Sequence, residues 1–492
     1  MSSYRLTMPK MMLLLAEVIV FAILAVAATK HFGMNDGLKI TVAYMFAYCV
    51  PRTVLKNARG TSTTAHFILL LLAIFILSLS FLRLQHWILA DGYTLQYPNL
   101  QSDPRTYYKW ALQYYQGKEP VGRVAFVGFS LMMVGLWEVF GLSVIWPQAM
   151  NIMFTLTSIV LTAMTTRRLL SGKVTMSAQG LLTCGILLTG GLIYYMAVGT
   201  MILKESSIYL GFSLAGFSLA SMAAQDNERH RLWLDMVLFV LACILIAAVR
   251  TTYLYFIALG VIIMVLPHWR RDWMMAAFML VVFLTTLMVG DHYSYYSFDR
   301  HVTIIQGGEA MQEIYVTSES QQYYNKILNN YFLYSPIHRI AVLPITVAVQ
   351  FIIPFPWTFY EAHTFINTVS RLTWGWYLVG GIAMFYYLFL IWKRHMNMGA
   401  WAWWPALSFA AIAYIMAGSV ARYVLPINPL FIPVAVFVLC KIHEGRYRKA
   451  FIAWAIVFIT MLATALIFYH RIQLGYHADS LRQFLSHLIP HL

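Results

Sequence analysis

A series of apolar runs, most of them near the length of a membrane-spanning helix, limits this chain to few architectures. A bilayer core needs about 20 apolar residues per helix, and lipid offers no hydrogen-bond partner to an open backbone. Two of the apolar runs, residues 40–51 and 340–356, are short or broken by proline. The sequence therefore predicts an all-α polytopic membrane protein, a bundle of about 12 to 14 transmembrane helices. The longer runs are residues 11–29, 65–82, 124–145, 148–166, 177–198, 206–224, 232–249, 251–267, 273–290, 374–392, 401–419, 425–441 and 450–469.

The composition agrees with a membrane protein and argues against several other classes. Of 492 residues, 60% are hydrophobic and 11% are charged, outside the range of soluble domains. The formal net charge of +15 belongs with cytoplasmic loops and lipid headgroups, because no nucleic-acid motif accompanies it. The chain has no P-loop and no GxGxxG motif opening a helix, which argues against nucleotide-driven transport and dinucleotide chemistry.

Clusters of basic residues orient the predicted helices, because such clusters stay on the cytoplasmic side of a membrane. Residues 83–123 and 291–339 then form two large external loops of a single transmembrane domain, residues 1–492. If the runs 124–145 and 148–166 both crossed the membrane, a basic cluster would lie outside, so one of them is predicted to be a partial segment. The clusters are residues 52–59, 167–173, 228–231, 268–271, 393–395 and 443–449.

The first external loop contains the stretch SDPRTYYKWALQYYQG, residues 102–117. Asp103 followed by Pro104 is typical of an N-cap and the first position of a helix. Tyr107, Trp110 or Ala111, and Tyr114 then share one face at helical spacing, which predicts an amphipathic helix in the membrane interface. The helix dipole keeps a carboxylate at its start ionised. Asp103 therefore either only initiates the helix or acts as a base at this surface.

Two stretches resemble one superfamily of membrane enzymes. The spacing of Asp103, Tyr107, Ala111 and Gly117 resembles the first external loop of GT-C type glycosyltransferases, which include the protein O-mannosyltransferases and the aminoarabinose transferase of lipid A. The stretch GSVARYVLPINPLFIPVAVFVL, residues 418–439, resembles the last motif block of that superfamily. In that block an Arg-Tyr pair opens a proline-containing helix; its residues here are Arg422, Tyr423, Pro426 and Pro429.

The resemblance implies a GT-C type bundle whose external loop carries interfacial helices, with Asp103 as the candidate catalytic carboxylate. Asp91 is the backup candidate, because many relatives carry the acid nearer the end of the first helix; its alternative is an Asp-Gly turn. Cations at external helix ends suit the phosphate of the donor, where negative charge develops as the sugar departs. These candidates are Lys204, Arg250 and Arg422. The candidates for binding sugar or acceptor are Tyr107, Tyr108, Glu205 and Tyr423.

The charged candidates also have purely structural interpretations. Arg250 and Arg422 are compatible with anchoring helix ends to lipid headgroups. Lys204 and Glu205 are compatible with pairing to each other or with snorkelling toward the membrane surface. Two further acids in apolar runs, Glu17 and Glu138, are attributed to helix packing or to an interfacial position.

The function implied is an integral-membrane glycosyltransferase that moves a sugar from a polyprenyl-phosphate-linked donor to an acceptor at the external face. The acceptor is a lipid, a glycan or a protein. A single carboxylate suits an inverting displacement. The expected location is a bacterial plasma membrane, although an endoplasmic reticulum location gives the same topology. No metal site is predicted, because Glu361 and His363 form only one candidate pair; dependence on a divalent metal stays open.

Two other functions stay open at this stage. The first is an O-antigen polymerase or ligase that acts on polyprenyl-diphosphate oligosaccharides through basic residues of the second loop. Its candidates are Arg300, His301, His338 and Arg339. The second is a lipid or glycan transporter or flippase, a class that often shows inverted repeats. We find no corresponding halves in this sequence.

Overall fold

The structure is a computed structural model, and the residues that it describes are helical or lie in turns and loops, with no strand among them. The chain divides into two compact units, Met1–Tyr295 and Tyr296–Leu492. The described residues are 8–58, 61–89, 92–118, 127–223, 229–264, 269–293, 336–337, 339–341, 343, 347, 382–384, 386–390, 398–416, 425–445 and 448–473.

The described residues of the first unit form helices α1 to α12. They are α1 (Met8–Phe32), α2 (Met34–Asn57), α3 (Thr63–Ile88), α4 (Ser102–Tyr115), α5 (Val127–Phe140), α6 (Ile145–Leu170), α7 (Ala178–Gly190), α8 (Ile193–Gly199), α9 (Glu205–Ala223), α10 (Arg229–Arg250), α11 (Leu254–Met264) and α12 (Trp269–Tyr293).

Within the described part of the chain, 4 helical stretches are long and apolar enough to cross a membrane. This finding supports an all-α membrane protein, as the sequence predicts. The total of 12 to 14 helices stays a prediction, as does the single domain. The four stretches are Met8–Phe32, Thr63–Ile88, Ile145–Leu170 and Trp233–Met264.

Helices α1 and α2 form a hairpin that the short run 40–51 only partly indicated. Gly33, with a φ of 79°, makes the turn between them. Glu17 of α1 accepts hydrogen bonds from Tyr48 at 2.6 Å and from Arg52 at 2.5 Å, both on α2. A buried carboxylate is stable only when it is paired, so the interpretation of Glu17 as a helix-packing residue is confirmed.

Helix α5 is short within the described residues, and the partial or interfacial segment that the basic clusters require stays a prediction. Its 14 residues extend about 21 Å, which is less than a bilayer core. Phe129 near its start packs edge-to-face on Tyr107 of α4, and Trp137 near its end packs on Tyr108, with ring centroids 5.6 and 4.9 Å apart. Helix α5 therefore lies along α4, and Glu138 is exposed on it.

Several helices of the first unit terminate beside α4, and we call this the α4 end. The amide of Val144, just before α6, donates to the carbonyl of Leu95 at 2.8 Å, and Asn99 donates to Trp87 near the end of α3, also at 2.8 Å. Residues 92–101 are thus hydrogen-bonded to the ends of α3 and α6. The start of α9 and the end of α10 also lie here, through the Lys204–Tyr107 hydrogen bond and the close approach of Gly128 to Ala248.

The second unit contains α13 (Trp403–Met416), α14 (Asn428–His443) and α15 (Arg448–Gln473), with helical residues at 382–384 and 386–390. Trp401 donates to the carbonyl of Leu430 at 3.1 Å, and Phe409 meets Phe431 edge-to-face at 5.6 Å. Pro429 lies in the first turn of α14, which confirms the predicted proline-containing helix.

Candidate functional site

Helix α4 begins slightly before the predicted position. Gln101 occupies the cap and makes no side-chain cap hydrogen bond, so Asp103 lies in the first turn. The prediction of Asp103 as the N-cap was therefore wrong. Pro104 does not prevent the earlier start, because amides of the first turn have no acceptor within the helix. Asp103 is half-buried and remains at the end of the helix where the dipole favours a carboxylate.

Gly117 ends helix α4 and has a structural function. Its φ of 69° is left-handed. The amide of Lys118 donates to the carbonyl of Gln113 at 2.9 Å, and the Gly117 amide donates to Tyr114 at 3.0 Å. This is the hydrogen-bond pattern of a glycine C-terminal cap. Gly117, the last position of the motif, therefore determines where α4 ends.

Tyr107 joins α4 to the beginning of α9. Nζ of Lys204 donates to its hydroxyl at 2.5 Å across 97 residues of sequence. The ammonium also lies 4.9 Å from the centroid of the Tyr107 ring. Both side chains are buried, with exposed fractions of 3% and 4%. Two residues that the sequence assigned to acceptor and to phosphate binding are thus in direct contact.

The backbone before Lys204 is held by two side-chain amides of α6. Gln148 donates to the carbonyls of Thr200 at 3.0 Å and Ser80 at 3.2 Å. Asn151 donates to the carbonyls of Met201 at 2.5 Å and Leu203 at 2.9 Å. The segment 200–204 interrupts the helical path between α8 and α9, so its carbonyls need such donors.

The sequence analysis missed Gln148 and Asn151. Their signal was available, because two amides three residues apart in the apolar run 148–166 share one helix face. The hydroxyl of Tyr44 donates to Oε1 of Gln148 at 2.7 Å, which orients the amide. Both α6 side chains are completely buried.

Glu205 starts α9 and does not pair with Lys204. It is only 2% exposed, and within the described residues its Oε2 accepts no hydrogen bond. The alternative in which Lys204 and Glu205 pair with each other was therefore wrong. A buried carboxylate oxygen without a donor loses free energy of hydration, so this oxygen is suited to accept a hydrogen bond from a ligand.

Arg250 ends α10 at the same end of the bundle. The residue is extended, and a 3₁₀ turn over Thr251–Tyr253 follows. Its guanidinium carbon lies 5.4 Å from the ring centroid of Tyr253. A Cβ added at Gly211 of α9 would meet Ile246 of α10 at 2.4 Å, so the two antiparallel helices are in close contact. When the two antiparallel helices are aligned at the Gly211–Ile246 contact, Glu205 and Arg250 lie within about one helical turn of each other along the helix axis.

Helix α5 connects this region with Tyr107. A Cβ added at Gly128 would lie 2.2 Å from the carbonyl oxygen of Ala248, two residues before Arg250. The next residue, Phe129, packs on Tyr107. The close approach of α5 to α10 therefore brings the end of α10 toward the Tyr107–Lys204 contact.

Tyr108 serves mainly to hold the loop. Its hydroxyl donates to the carbonyl of Gln96 at 2.8 Å, and its ring packs on Trp137. Burial raises the pKa of the Tyr108 phenol above its ordinary value. The side chain thus stays protonated and donates to residues 92–101. Its predicted contact with sugar or acceptor stays a prediction.

Arg83 is a further charged residue that the sequence analysis did not select. It lies near the end of α3 and is 7% exposed. Within the part of the chain that the structure describes, its Nε donates no hydrogen bond. Its only sequence signal is a cation immediately after the end of the apolar run 65–82.

Several candidates lie outside the described residues: Asp91, Arg300, His301, His338, Glu361, His363, Arg422 and Tyr423. Arg339 is described and fully buried in the second unit, where its guanidinium carbon lies 5.5 Å from the ring centroid of Tyr414. Among described residues, no group of three or more His, Cys, Asp or Glu side chains comes together as metal ligands.

Comparison of the chain with protein-family models, with curated proteins and with solved structures gives no match. The resemblance to GT-C glycosyltransferases therefore rests on the motif residues of the sequence alone.

Proposed function

We propose that this chain is a multi-pass membrane glycosyltransferase that moves a sugar from a polyprenyl-phosphate-linked donor to a lipid, glycan or protein acceptor. The observation that carries the proposal is the contact between Tyr107 and Lys204. It joins the helix that bears the Asp103 motif to a buried cation and to the buried carboxylate of Glu205. A catalytic acid–base group and a cation for a phosphate are the two requirements of this reaction.

The donor phosphate binds at the α4 end through Lys204 and Arg250. As the sugar leaves, negative charge grows on the phosphate oxygen, and buried cations stabilise that charge more strongly than solvated ones. From the family resemblance alone, Arg422 stays a predicted phosphate-binding residue and Tyr423 a predicted sugar- or acceptor-binding residue. The apolar chain of the carrier lies among the helices, and the sugar–phosphate bond supplies the free energy.

Asp103 acts as the general base or orients the acceptor. It lies one helical turn before Tyr107, a rise of about 6 Å along α4. Its carboxylate accepts the proton of the acceptor hydroxyl while that oxygen attacks the anomeric carbon, and the carbon–phosphate-oxygen bond breaks on the opposite side. Glu205 accepts a hydrogen bond from a sugar or acceptor hydroxyl. One displacement of this kind inverts the anomeric centre.

The α4 end faces the outside of a bacterial plasma membrane. The basic clusters support this orientation. Residues 52–59 and 167–173 lie at the C-terminal ends of α2 and α6, which are the ends away from the α4 end. The donor thus reaches the site laterally from the bilayer, and the acceptor reaches it from the periplasmic or external side.

The test compares wild type with Asp103→Asn at matched membrane expression, with lipid-linked sugars and surface glycans measured by mass spectrometry. We expect Asp103→Asn to accumulate one lipid-linked sugar and to lose one glycan decoration. The matched control is Asp36→Asn, which removes an exposed acid in the first turn of α2. Unchanged glycans and unchanged lipid-linked sugars in Asp103→Asn would refute the catalytic function of Asp103.

A further inference from the structure

Arg83 is a buried cation without a counter-charge in the described structure. It is 7% exposed, and no described acceptor binds its Nε. A guanidinium does not lose its proton in proteins, and removing it from water without a partner is strongly unfavourable. A buried polar group without a partner requires an explanation. A bound anion would accept hydrogen bonds from the Arg83 guanidinium and would balance its charge.

The position of Arg83 restricts what that anion is. Ser80, Arg83 and Trp87 form one buried stripe of α3. The carbonyl of Ser80 accepts from Gln148, which also donates to Thr200, so α3 lies beside the segment that leads to Lys204. The carbonyl of Trp87 accepts from Asn99, so residues 92–101 contact the helix end. Arg83 is therefore at the α4 end, below that loop.

The opposite face of α3 is apolar and exposed. Leu71 and Leu82 have exposed fractions of 64% and 56%. In a membrane that face contacts lipid, and phosphate is the abundant anion at the depth of a helix end. The planar fork of an arginine matches two phosphate oxygens.

We propose that Arg83 binds the phosphate group of a membrane lipid at the α4 end. The site uses a residue outside the proposed transfer chemistry, and it does not require that transfer. Two sources supply the same chemistry: a polyprenyl phosphate carrier and the headgroup of a bilayer phospholipid.

The experiment uses the purified full-length protein and native mass spectrometry with three probes: decaprenyl phosphate, decaprenol and phosphatidylglycerol. Decaprenol is the same chain without the phosphate. We expect Arg83→Met to raise the Kd for the phosphate lipid about tenfold or more, and Arg83→Lys to lose less. Arg105→Met, which removes an exposed arginine of α4, is the charge-matched control and keeps the wild-type Kd.

Thermal unfolding separates binding from a structural effect. Without ligand, Arg83→Met is expected to unfold at the same temperature as wild type or higher, because it removes a buried unpaired charge. In wild type, decaprenyl phosphate raises that temperature more than decaprenol does, and in Arg83→Met the difference disappears. A lower unfolding temperature together with an unchanged Kd would show that Arg83 is structural and would overturn the inference.

The probes also identify the lipid. Arg83-dependent binding of decaprenyl phosphate alone supports the site with the carrier as its ligand, and equal binding of phosphatidylglycerol supports it with a bilayer phospholipid. If neither lipid binds in an Arg83-dependent way, the inference fails, whatever the result for Asp103→Asn. If Arg83-dependent binding persists while Asp103→Asn leaves all glycans unchanged, the proposed transfer fails and the lipid site stands.

Discussion

The phenolic oxygen of Tyr107 lies 2.5 Å from the ammonium nitrogen of Lys204, although 97 residues separate them in sequence. Tyr107 is therefore the hydrogen-bond acceptor of a buried cation, and α4 is attached through it to the start of α9. This arrangement makes the stability of the first unit and the position of Lys204 depend on the same hydroxyl group.

Replacing Tyr107 by phenylalanine removes that acceptor and leaves the ammonium of Lys204 short of one hydrogen bond. We expect the free energy of unfolding to fall by about 1–3 kcal/mol, with a loss of any transfer activity. Chemical unfolding in detergent measures the first effect, and a double-mutant cycle with Lys204→Met isolates the pair. Tyr115→Phe, which keeps the ring contact with Trp137, is the control; an equal loss in both variants would contradict the prediction.

Replacing Asn151 by leucine removes the donor for two buried carbonyls, those of Met201 and Leu203. The expected destabilisation is about 2–4 kcal/mol, because each carbonyl loses a buried hydrogen bond. The control is Thr157→Val on the same helix, since the Thr157 hydroxyl has no partner among the described residues. The midpoints of thermal unfolding of the two variants should differ by several degrees, and equal midpoints would disprove the function of Asn151.

Gly117 and Gly135 allow the effect of a left-handed backbone conformation to be compared with that of an ordinary helical one. Gly117→Ala forces a side chain onto a left-handed residue with φ 69° and should cost about 1 kcal/mol. Gly135→Ala, in the interior of α5 with no atom near the new Cβ, should stabilise by about 0.5–1 kcal/mol. Opposite signs in unfolding experiments confirm the assignment of Gly117 as the cap of α4; a neutral Gly117→Ala contradicts it.

A substitution in the Glu17–Arg52 pair is expected to lower the stability of the protein without changing the proposed transfer. Glu17→Gln leaves the half-buried guanidinium of Arg52 without its carboxylate and should destabilise by about 3 kcal/mol. Asp36→Asn breaks the exposed Asp36–Lys39 pair and should cost at most about 1 kcal/mol. Neither residue lies in the proposed site, so transfer per folded molecule should stay at the wild-type level. A selective loss of transfer in folded Glu17→Gln would place this pair in the reaction.

The helical class was predictable from apolar run lengths alone. Helices α1 and α6 begin and end within four residues of the predicted runs, and α3 extends six residues beyond its run, because a backbone in lipid must satisfy its own hydrogen bonds. The amphipathic spacing around Tyr107 likewise predicted α4. Helix α2 was longer than its apolar run indicated, because Pro51 ends that run but not the helix.

The site was predictable only as separate residues. The resemblance of short motifs to GT-C transferases selected Asp103, Tyr107, Lys204 and Glu205, and such motifs are local signals. That Lys204 contacts Tyr107 rather than Glu205, that Asn151 holds the segment before it, and that Arg83 is buried all depend on which helices pack together. The side-chain chemistry and the helices are thus encoded locally, whereas tertiary packing decides which polar groups meet, because a buried charge takes whatever partner the long-range contacts of the fold bring to it.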